Sequence, residues 1–274
     1  MSLSVHTNQS SLTAQRSLAS TQLSLNTSQQ RLSTGLRINS AKDDAAGLQI
    51  ANRMETQTRG LSVAQRNAAD GISMTQTAEG ALKEASNILQ RQRELALQAS
   101  NGTNTTADRG ALAQEFNALN EELDRIKNTT TFAGKALFTS ALNGGVTIQV
   151  GTSMSAGNAI TAKLTKVDDA FTKAANLASA TTAFTATLKS LDDAMTAMGS
   201  SMAELGALQN RFQSTINNLS NIEENVSVAK GRIMDADIAK ESANMTKQNM
   251  MMQAGISVLS QANQTPSMIM GLLR

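Results

Sequence analysis

The chain has 274 residues and a formal net charge of +2, with no Cys, Trp or Tyr and a single histidine, His6. The absence of cysteine excludes disulfides and thiolate metal sites, and one histidine excludes a two-histidine metal site within one chain. Few aromatic residues disfavour a compact enzyme core, and the lack of any basic cluster disfavours a nucleic-acid-binding protein.

Both ends of the chain lack acidic residues, because all 22 Asp and Glu lie between Asp43 and Glu241. An N-terminal leucine stripe on a Ser/Gln/Thr background predicts a helix that ends near Gly35. Dry interfaces reject unpaired carboxylates, so the two ends are expected to pair with each other and with neighbouring copies. The leucine stripe consists of Leu12, Leu18, Leu25 and Leu32.

A long helix is predicted to follow, up to about Ser100. Asp43 and Asp44 stand where first-turn acids would favour the positive end of its dipole. About 56 residues at 1.5 Å per residue would make a rod of roughly 85 Å. Its seven-residue apolar column includes Leu61, Leu82 and Leu89.

A shorter helix to about residue 128 is predicted next, with Thr105 and Asp108 as its N-terminal capping signal. The alternation of apolar and polar residues from Val146 to Val150 then predicts a short β-hairpin between about residues 132 and 165. No other segment carries a strand pattern.

The longest heptad series lies in the C-terminal part of the chain, after a weakly patterned stretch at residues 165–200. Stripes of this length require partner helices. The predicted fold class is therefore mainly α, a long antiparallel helical rod or coiled-coil bundle with a small β-hairpin region. The series comprises Leu205, Phe212, Leu219, Val226 and Ile233, and continues with Ile238, Met245, Met252 and Leu259.

Several long segments of the chain closely resemble bacterial flagellin. They are STGLRINSAKDDAAGLQIA at 33–51, NILQRQRELALQA at 87–99, QNRFQSTINNL at 209–219, SVLSQANQTP at 257–266 and LLR at 272–274. The resemblance covers roughly residues 1–140 and 190–274. The heptads alone indicate the subunit of a polymer, and the resemblance indicates to which family that subunit belongs.

The resemblance implies a domain organisation. Residues 1–40 and 236–274 would form inner-core terminal helices, and residues 41–235 would form a rod-like outer-tube domain with a short β-hairpin and loop region at about 132–190. The terminal helices are expected to be disordered in the monomer and to fold on assembly. No large outer domain is expected, because few residues separate the two resembling parts.

The resemblance also implies a function. The chain would be a non-enzymatic subunit of the flagellar filament, without cofactor or metal, and would polymerise through its N- and C-terminal helices into the propeller for swimming. It would leave the cell unfolded through the flagellar type III channel, without a cleavable signal peptide. The implied partners are further copies of the chain, a flagellar export chaperone, the filament cap and the hook-junction proteins, with no nucleic acid and no membrane insertion.

One short surface resembles the part of flagellin that the flagellin-sensing Toll-like receptor of animals binds. The matching positions are Arg91, Leu95 and Glu115. An alternative interpretation is that these residues serve subunit contacts, since Leu95 lies in a heptad column.

Two other functions remain open at this stage. A hook-filament junction protein shares the terminal helices, although the unbroken flagellin-like ending argues against it. A signalling coiled-coil bundle is also rich in Ala, Gln and heptads, but it would need a membrane segment or an adaptor.

Overall fold

The computed structural model describes residues 7–172 and 184–272, so His6 lies outside the described part. Contacts divide the chain into a terminal unit, Met1–Thr56 with Asn225–Arg274, and a central unit, Gln57–Glu224. The helices are α1 (Gln9–Thr34), α2 (Ala45–Ala99), α3 (Thr106–Thr129), α4 (Leu142–Gly144), α5 (Val167–Thr172), α6 (Phe184–Met234) and α7 (Ile238–Leu272). The strands are β1 (Thr131–Phe132), β2 (Lys135–Ala136), β3 (Val146–Gln149) and β4 (Ala159–Ala162). The predicted mainly α class with a small β region is confirmed.

Helix α1 is closed at both ends by local signals. Asn8 is its N-cap and accepts a hydrogen bond from Ser11 N at 3.0 Å. Gly35 ends it with a φ of 71° and donates its backbone N–H to Arg31 O. Such a left-handed residue favours glycine, which has no Cβ. The predicted helix end near Gly35 is confirmed.

The start of α2 differs from the sequence prediction. Asp44 precedes the helix and accepts a hydrogen bond from Gly47 N at 2.8 Å. Asp43 closes the preceding turn, where the Ser40 hydroxyl and then the Asn39 backbone N–H lower the pKa of its carboxyl. The placement of both acids in the first turn was wrong, because Asp side chains satisfy more backbone donors as caps and turns than within a helix.

The C-terminal heptads belong to two helices rather than one. Helix α6 ends at Met234, and Asp237 accepts a hydrogen bond from Lys240 N at 3.1 Å at the start of α7. The heptads from Leu205 to Ile233 therefore lie in α6, and their continuation from Ile238 to Leu259 lies in α7. A five-residue step interrupts the heptad, and the Asp237 side chain caps a new helix there.

A short backbone pairing joins the segments that precede α2 and α7. We call residues 35–37 with 234–236 the clasp. Arg37 N donates to Met234 O at 2.6 Å, and Ala236 N donates to Gly35 O at 2.9 Å. The clasp lies at the end of the terminal unit where α1 ends and α7 begins.

In the central unit α2 and α6 run antiparallel. Gln65 Nε2 donates to Glu223 Oε2 at 2.8 Å near one end, and Arg93 Nε donates to Asp192 Oδ1 at 2.7 Å near the other. Helix α3 adds the buried Phe116 to the same core. The core is built from small and aliphatic residues with few aromatics, as the composition predicts. Its largest fully buried side chains include Leu82, Leu89, Leu95, Phe138, Leu191, Met198 and Phe212.

Two antiparallel hairpins occupy the region where one was predicted. Strands β3 and β4 pair with Ile148 opposite Ile160, which confirms the strand at 146–149. Strands β1 and β2 form a smaller hairpin with Phe132 opposite Lys135, which the sequence pattern did not indicate. Within residues 7–172 and 184–272, no helix has the length and hydropathy needed to cross a membrane.

Candidate assembly surfaces

Helices α1 and α7 pack antiparallel along a shared face in the terminal unit. Leu18 of α1 lies over Gly255 of α7, where an added Cβ would come within 3.2 Å of Leu18 Cδ1. The less exposed residues recur in heptads on both helices, which is the pattern of a two-helix coiled coil. They are Ser11, Ala14, Leu18, Thr21, Leu25, Ser28 and Leu32 on α1, and Glu241, Met245, Gln248, Met252, Gly255, Leu259 and Ala262 on α7.

Polar contacts connect the two helices at the end where α1 begins. Asn8 Nδ2 donates to Ala262 O at 2.7 Å, and Ser11 Oγ donates to Asn263 Oδ1 at 2.8 Å. These neutral contacts fix the start of α1 against residues 262–263 of α7. The sequence stripe of large apolar residues gave no sign of them.

An ion pair connects the helices at the opposite end. Arg31 Nη1 lies 2.9 Å from Glu241 Oε1, and the Glu241 side chain is 8% exposed. Asn244 Nδ2 donates to the second carboxylate oxygen at 2.8 Å. Asn244 first, and then Arg31, lower the pKa of Glu241. The position of Glu241 as the last acid in the chain was the available sequence signal for this pair.

The predicted self-assembly residues fall into two groups. Those on the shared face are Leu18, Leu25, Leu32, Met245, Met252 and Leu259. Leu12 and Ile238 lie outside it and are about half exposed. The stripe read from the sequence is therefore mainly the contact between α1 and α7 rather than an outward surface.

A separate set of large apolar side chains is exposed outside the shared face, and two of them, Met251 and Val258, border it in an open groove with Ala14 and Ser17 of α1. Such exposed apolar residues, when several lie together, mark interaction surfaces on soluble proteins. The sequence prediction did not include them apart from Leu12 and Ile238. The set comprises Leu12, Leu23, Ile238, Met250, Met251, Ile256 and Val258, and we call it the outward apolar set.

The residues predicted for the outer-tube core also divide. Val226 and Ile233 are only partly buried and belong to the terminal unit. The predicted residues that are buried in the central unit are Leu61, Leu82, Leu89, Leu205, Phe212 and Leu219. The heptad column thus continues beyond the well-packed core.

The surface predicted for receptor recognition contains one residue that is not at the surface. Arg91 donates from Nε and Nη2 to Glu115 Oε1 at 2.9 and 2.8 Å, and both side chains are about half exposed. Leu95 is 1% exposed and belongs to the central core. Leu95 therefore faces the neighbouring helices, as its heptad position indicates, and receptor recognition stays a prediction.

The central unit contains an open groove on its surface. This groove of about 740 Å³ lies beside the β3–β4 hairpin, and its lining includes Leu61, Ile160, Asn210 and Arg211. No group of three His, Asp or Glu side chains suited to a metal ion occurs in the part of the chain that the structure describes.

Comparison with protein families identifies both ends of the chain. The model of the bacterial flagellin N-terminal helical region matches residues 5–143. The model of the bacterial flagellin C-terminal helical region matches residues 188–273. Together the two models cover more than half of the sequence.

Individual relatives agree with the family models. Flagellin of Halalkalibacterium halodurans is 44% identical over 237 residues, covering 85% of this chain and 86% of that protein. Flagellin C of Vibrio anguillarum is 37% identical over 376 aligned positions that cover both chains completely. Because this chain has only 274 residues, that relative carries residues that this chain lacks.

Solved structures give the same grouping. The crystal structure of Bacillus cereus flagellin matches with a TM-score of 0.50 and 31% identity, over 56% of this chain and 88% of that one. A protein described as a flagellar hook-associated protein of Vibrio parahaemolyticus matches with a TM-score of 0.56 and 19% identity, over 70% of this chain and 100% of that one. The second likeness shows a shared fold.

Proposed function

This chain belongs to the bacterial flagellin family, and we propose that it polymerises into the flagellar filament through its paired terminal helices. Members of the family are structural subunits of the filament and not enzymes. The proposal concerns which residues make the polymer. It assigns the shared face of α1 and α7 to folding of the subunit, and the outward apolar set to contacts between subunits.

The outward apolar set carries this proposal. Ile256 and Val258 of α7 are 55% and 58% exposed, and Met250 and Met251 lie on the preceding turns of the same helix. Burying the remaining surface of one such side chain contributes about 1 kcal/mol. Many copies of the set along a helical polymer would therefore favour assembly strongly, after the ordering of the helices is subtracted.

The proposal also divides the chain by role. The terminal helices, residues 1–40 and 236–274, would form the inner core of the filament, and residues 41–235 would form the outer tube. The composition of both ends supports this division: residues 1–40 hold no acid, and the acids of residues 236–274 are confined to Asp237 and Glu241 at the start of α7. A dry inner core would penalise unpaired carboxylates. If the ends order only on assembly, the energy of the new contacts also has to offset that ordering.

The route of the subunit to the filament is proposed from the family. Filament growth outside the cell requires export, which we assign to the flagellar type III channel without a cleavable signal peptide. An export chaperone, the filament cap and the hook-junction proteins would be the transient partners. The exposed apolar residues of α7 support a chaperone, since such a surface needs cover before assembly.

A host receptor contact is proposed for a smaller surface than the sequence indicated. Arg91 and Glu115 are exposed, and two Arg91 N–H groups donate to one oxygen of Glu115, so the pair presents a charged surface on α2 and α3. Leu95 would not contact the receptor and would contribute only indirectly, by packing α2 against the core. We propose Arg91 and Glu115 as the contacting residues for the flagellin-sensing Toll-like receptor.

Seeded polymerisation of the purified chain tests the assembly proposal. Electron microscopy after addition of filament seeds or precipitating salt is expected to show long uniform filaments. The matched control is a chain that lacks residues 1–35 and 240–274, which should stay soluble. Discrete particles from the full chain under every condition would overturn the proposal, and filaments from the truncated chain would overturn the role of the terminal helices.

A further inference from the structure

We propose that Arg31 and Glu241 determine the register in which α1 and α7 pair. The inference rests on the proposed function, because it deepens the role of the terminal helices in assembly. The ion pair would act as a positioning contact, which selects one alignment of two repetitive helices. The apolar residues would supply attraction without selecting that alignment.

The apolar contacts between the helices repeat every seven residues and therefore do not distinguish neighbouring registers. In the observed register Leu18 packs over Gly255, and the heptad places Leu25 opposite Gln248. A slide of one heptad, about 10 Å along the axis, would place Leu18 opposite Gln248. In both registers a leucine of α1 would face a small or flexible polar residue of α7, either Gly255 or Gln248. Packing alone leaves the two registers similar.

The other contacts in the terminal unit discriminate weakly. The clasp restrains the same end of the pair, and a slide would break its backbone hydrogen bonds and the bond from Arg37 Nη2 to Ile233 O. Arg37 and Asp235 are exposed there, so water can reach these groups and replace their hydrogen bonds. The bond between Ser11 and Asn263 joins two neutral groups. Ser11 is buried but Asn263 is exposed, so water can reach the amide side of this bond and replace it at smaller cost than a lost charge pair.

The Arg31–Glu241 pair discriminates strongly because Glu241 is almost completely buried. A one-heptad slide towards the start of α1 would place its carboxylate opposite Leu25, which is itself 5% exposed. Arg16, the other cation of α1, is fifteen residues from Arg31, so a seven-residue slide would not supply a new partner. A buried carboxylate that loses its partner is strongly unfavourable, and fixing register is the best-attested role of such polar groups.

The helix dipoles favour the same orientation of the pair. Arg31 lies in the last turn of α1 and Glu241 in the first turn of α7. A cation is stabilised at a helix C-terminus and an anion at an N-terminus. An exchange of the two residues would rebuild the ion pair but place both charges against the dipoles. The doubly exchanged chain should therefore recover the register only in part.

Cross-linking of introduced cysteines reads the register directly, because the chain has no cysteine of its own. Gly255→Cys with Leu18→Cys reports the observed register. Gly255→Cys with Ser11→Cys or Leu25→Cys reports the registers one heptad to either side. Each pair is treated with a short bifunctional thiol reagent in seeded filaments, with Glu241 intact and with Glu241→Leu. Because both versions carry the same cysteines, the effects of the cysteines cancel.

The ratio of shifted to observed cross-links is expected to rise about tenfold in the Glu241→Leu chain, because no buried charge then penalises the shifted registers. Arg31→Glu with Glu241→Arg should lower that ratio again. Asp192→Asn is the matched control, since it breaks the exposed Arg93–Asp192 pair of the central unit, and should leave the ratio unchanged.

An unchanged ratio in the Glu241→Leu filaments would overturn the proposal. A variant that does not enter filaments even as a minority among unmodified chains would also overturn it, and would assign the pair to stability instead. Failure of the proposed function looks different. In that case the unmodified chain itself would give no filaments, or the chain with Leu18→Cys, Gly255→Cys and an intact Glu241 would form filaments without the cross-link between those two positions.

Discussion

Gly71 of α2 lies directly against Phe212 of α6, such that a Cβ on Gly71 would come within 2.9 Å of Phe212 Cζ. The same Cβ would lie 2.8 Å from Cδ1 of Ile148 in β3. The missing side chain therefore allows both elements to approach α2 closely. Gly71→Ala is expected to lower the free energy of unfolding by about 1–3 kcal/mol through overpacking, partly offset by the better helix propensity of alanine. Urea denaturation followed by circular dichroism measures the change.

Gly80→Ala provides the matched control in the same helix. A Cβ at Gly80 would meet nothing within 4 Å. Alanine there should raise the free energy of unfolding by about 0.5–1 kcal/mol, because glycine is unfavourable inside helices. Equal effects of the two substitutions would contradict the close packing at Gly71.

The tight turn between β1 and β2 contains an alanine with a positive φ. Ala133 has a φ of 48° and Gly134 a φ of 78°. Two-residue hairpin turns with both central φ angles positive favour Asn-Gly, so Ala133→Asn should stabilise the chain by about 0.5–1 kcal/mol. Thermal unfolding checks this, with Gly134→Ala expected to destabilise. Loss of stability in the Ala133→Asn chain would contradict the assigned turn.

The sequence predicted those features that depend on a few adjacent residues. The capping box at the start of α3 is one example, where Thr105 Oγ1 accepts from Asp108 N at 3.2 Å and Asp108 Oδ2 accepts from Thr105 N at 2.9 Å. Four residues contain the whole signal. The end of α1 at Gly35 is similarly local. Heptad spacing identified the buried residues of α2 and α6 because that pattern lies within one helix and needs no knowledge of distant residues.

Features that depend on distant residues were not predictable in this way. Arg31 and Glu241 are 210 positions apart, and no local sequence pattern indicates that they form an ion pair in the folded chain. The clasp joins Arg37 to Met234 through backbone atoms, which carry no sequence pattern. The β1–β2 hairpin has two residues in each strand, too few for an alternating pattern to appear.

Acid should weaken the pairing of α1 and α7 through Glu241. Its pKa is held below the ordinary value of about 4.3, first by Asn244 and then by Arg31, with Lys240 also contributing. A depressed folded-state pKa stabilises the pair above the unfolded pKa, and that stabilisation is lost as the pH falls through the folded pKa. Sedimentation of filaments from pH 7 downwards should show dissociation below about pH 4.

Glu241→Gln isolates this contribution from the other carboxylates. The variant should be less stable than the unmodified chain at pH 7, and the difference should close as the pH falls below the pKa of Glu241. The carboxyls of Asp43 and Asp108 also have lowered pKa values, but both chains share them. A constant difference between the two chains down to pH 3 would show that Glu241 is not the titrating group.

Acidic substitutions on the two faces of α7 should separate folding from assembly. Ile256 belongs to the outward apolar set and Leu259 to the face shared with α1. Ile256→Asp should abolish seeded filament growth without changing the unfolding of the central unit, because it places a charge in a contact between subunits. Leu259→Asp should abolish filament growth too. In the chain that carries Leu18→Cys and Gly255→Cys it should in addition abolish their cross-link, since it disrupts the α1–α7 pair itself. Ile256→Leu, which keeps the apolar surface, should still form filaments. Normal-length filaments from the Ile256→Asp chain would show that the outward apolar set does not bind the neighbouring subunit.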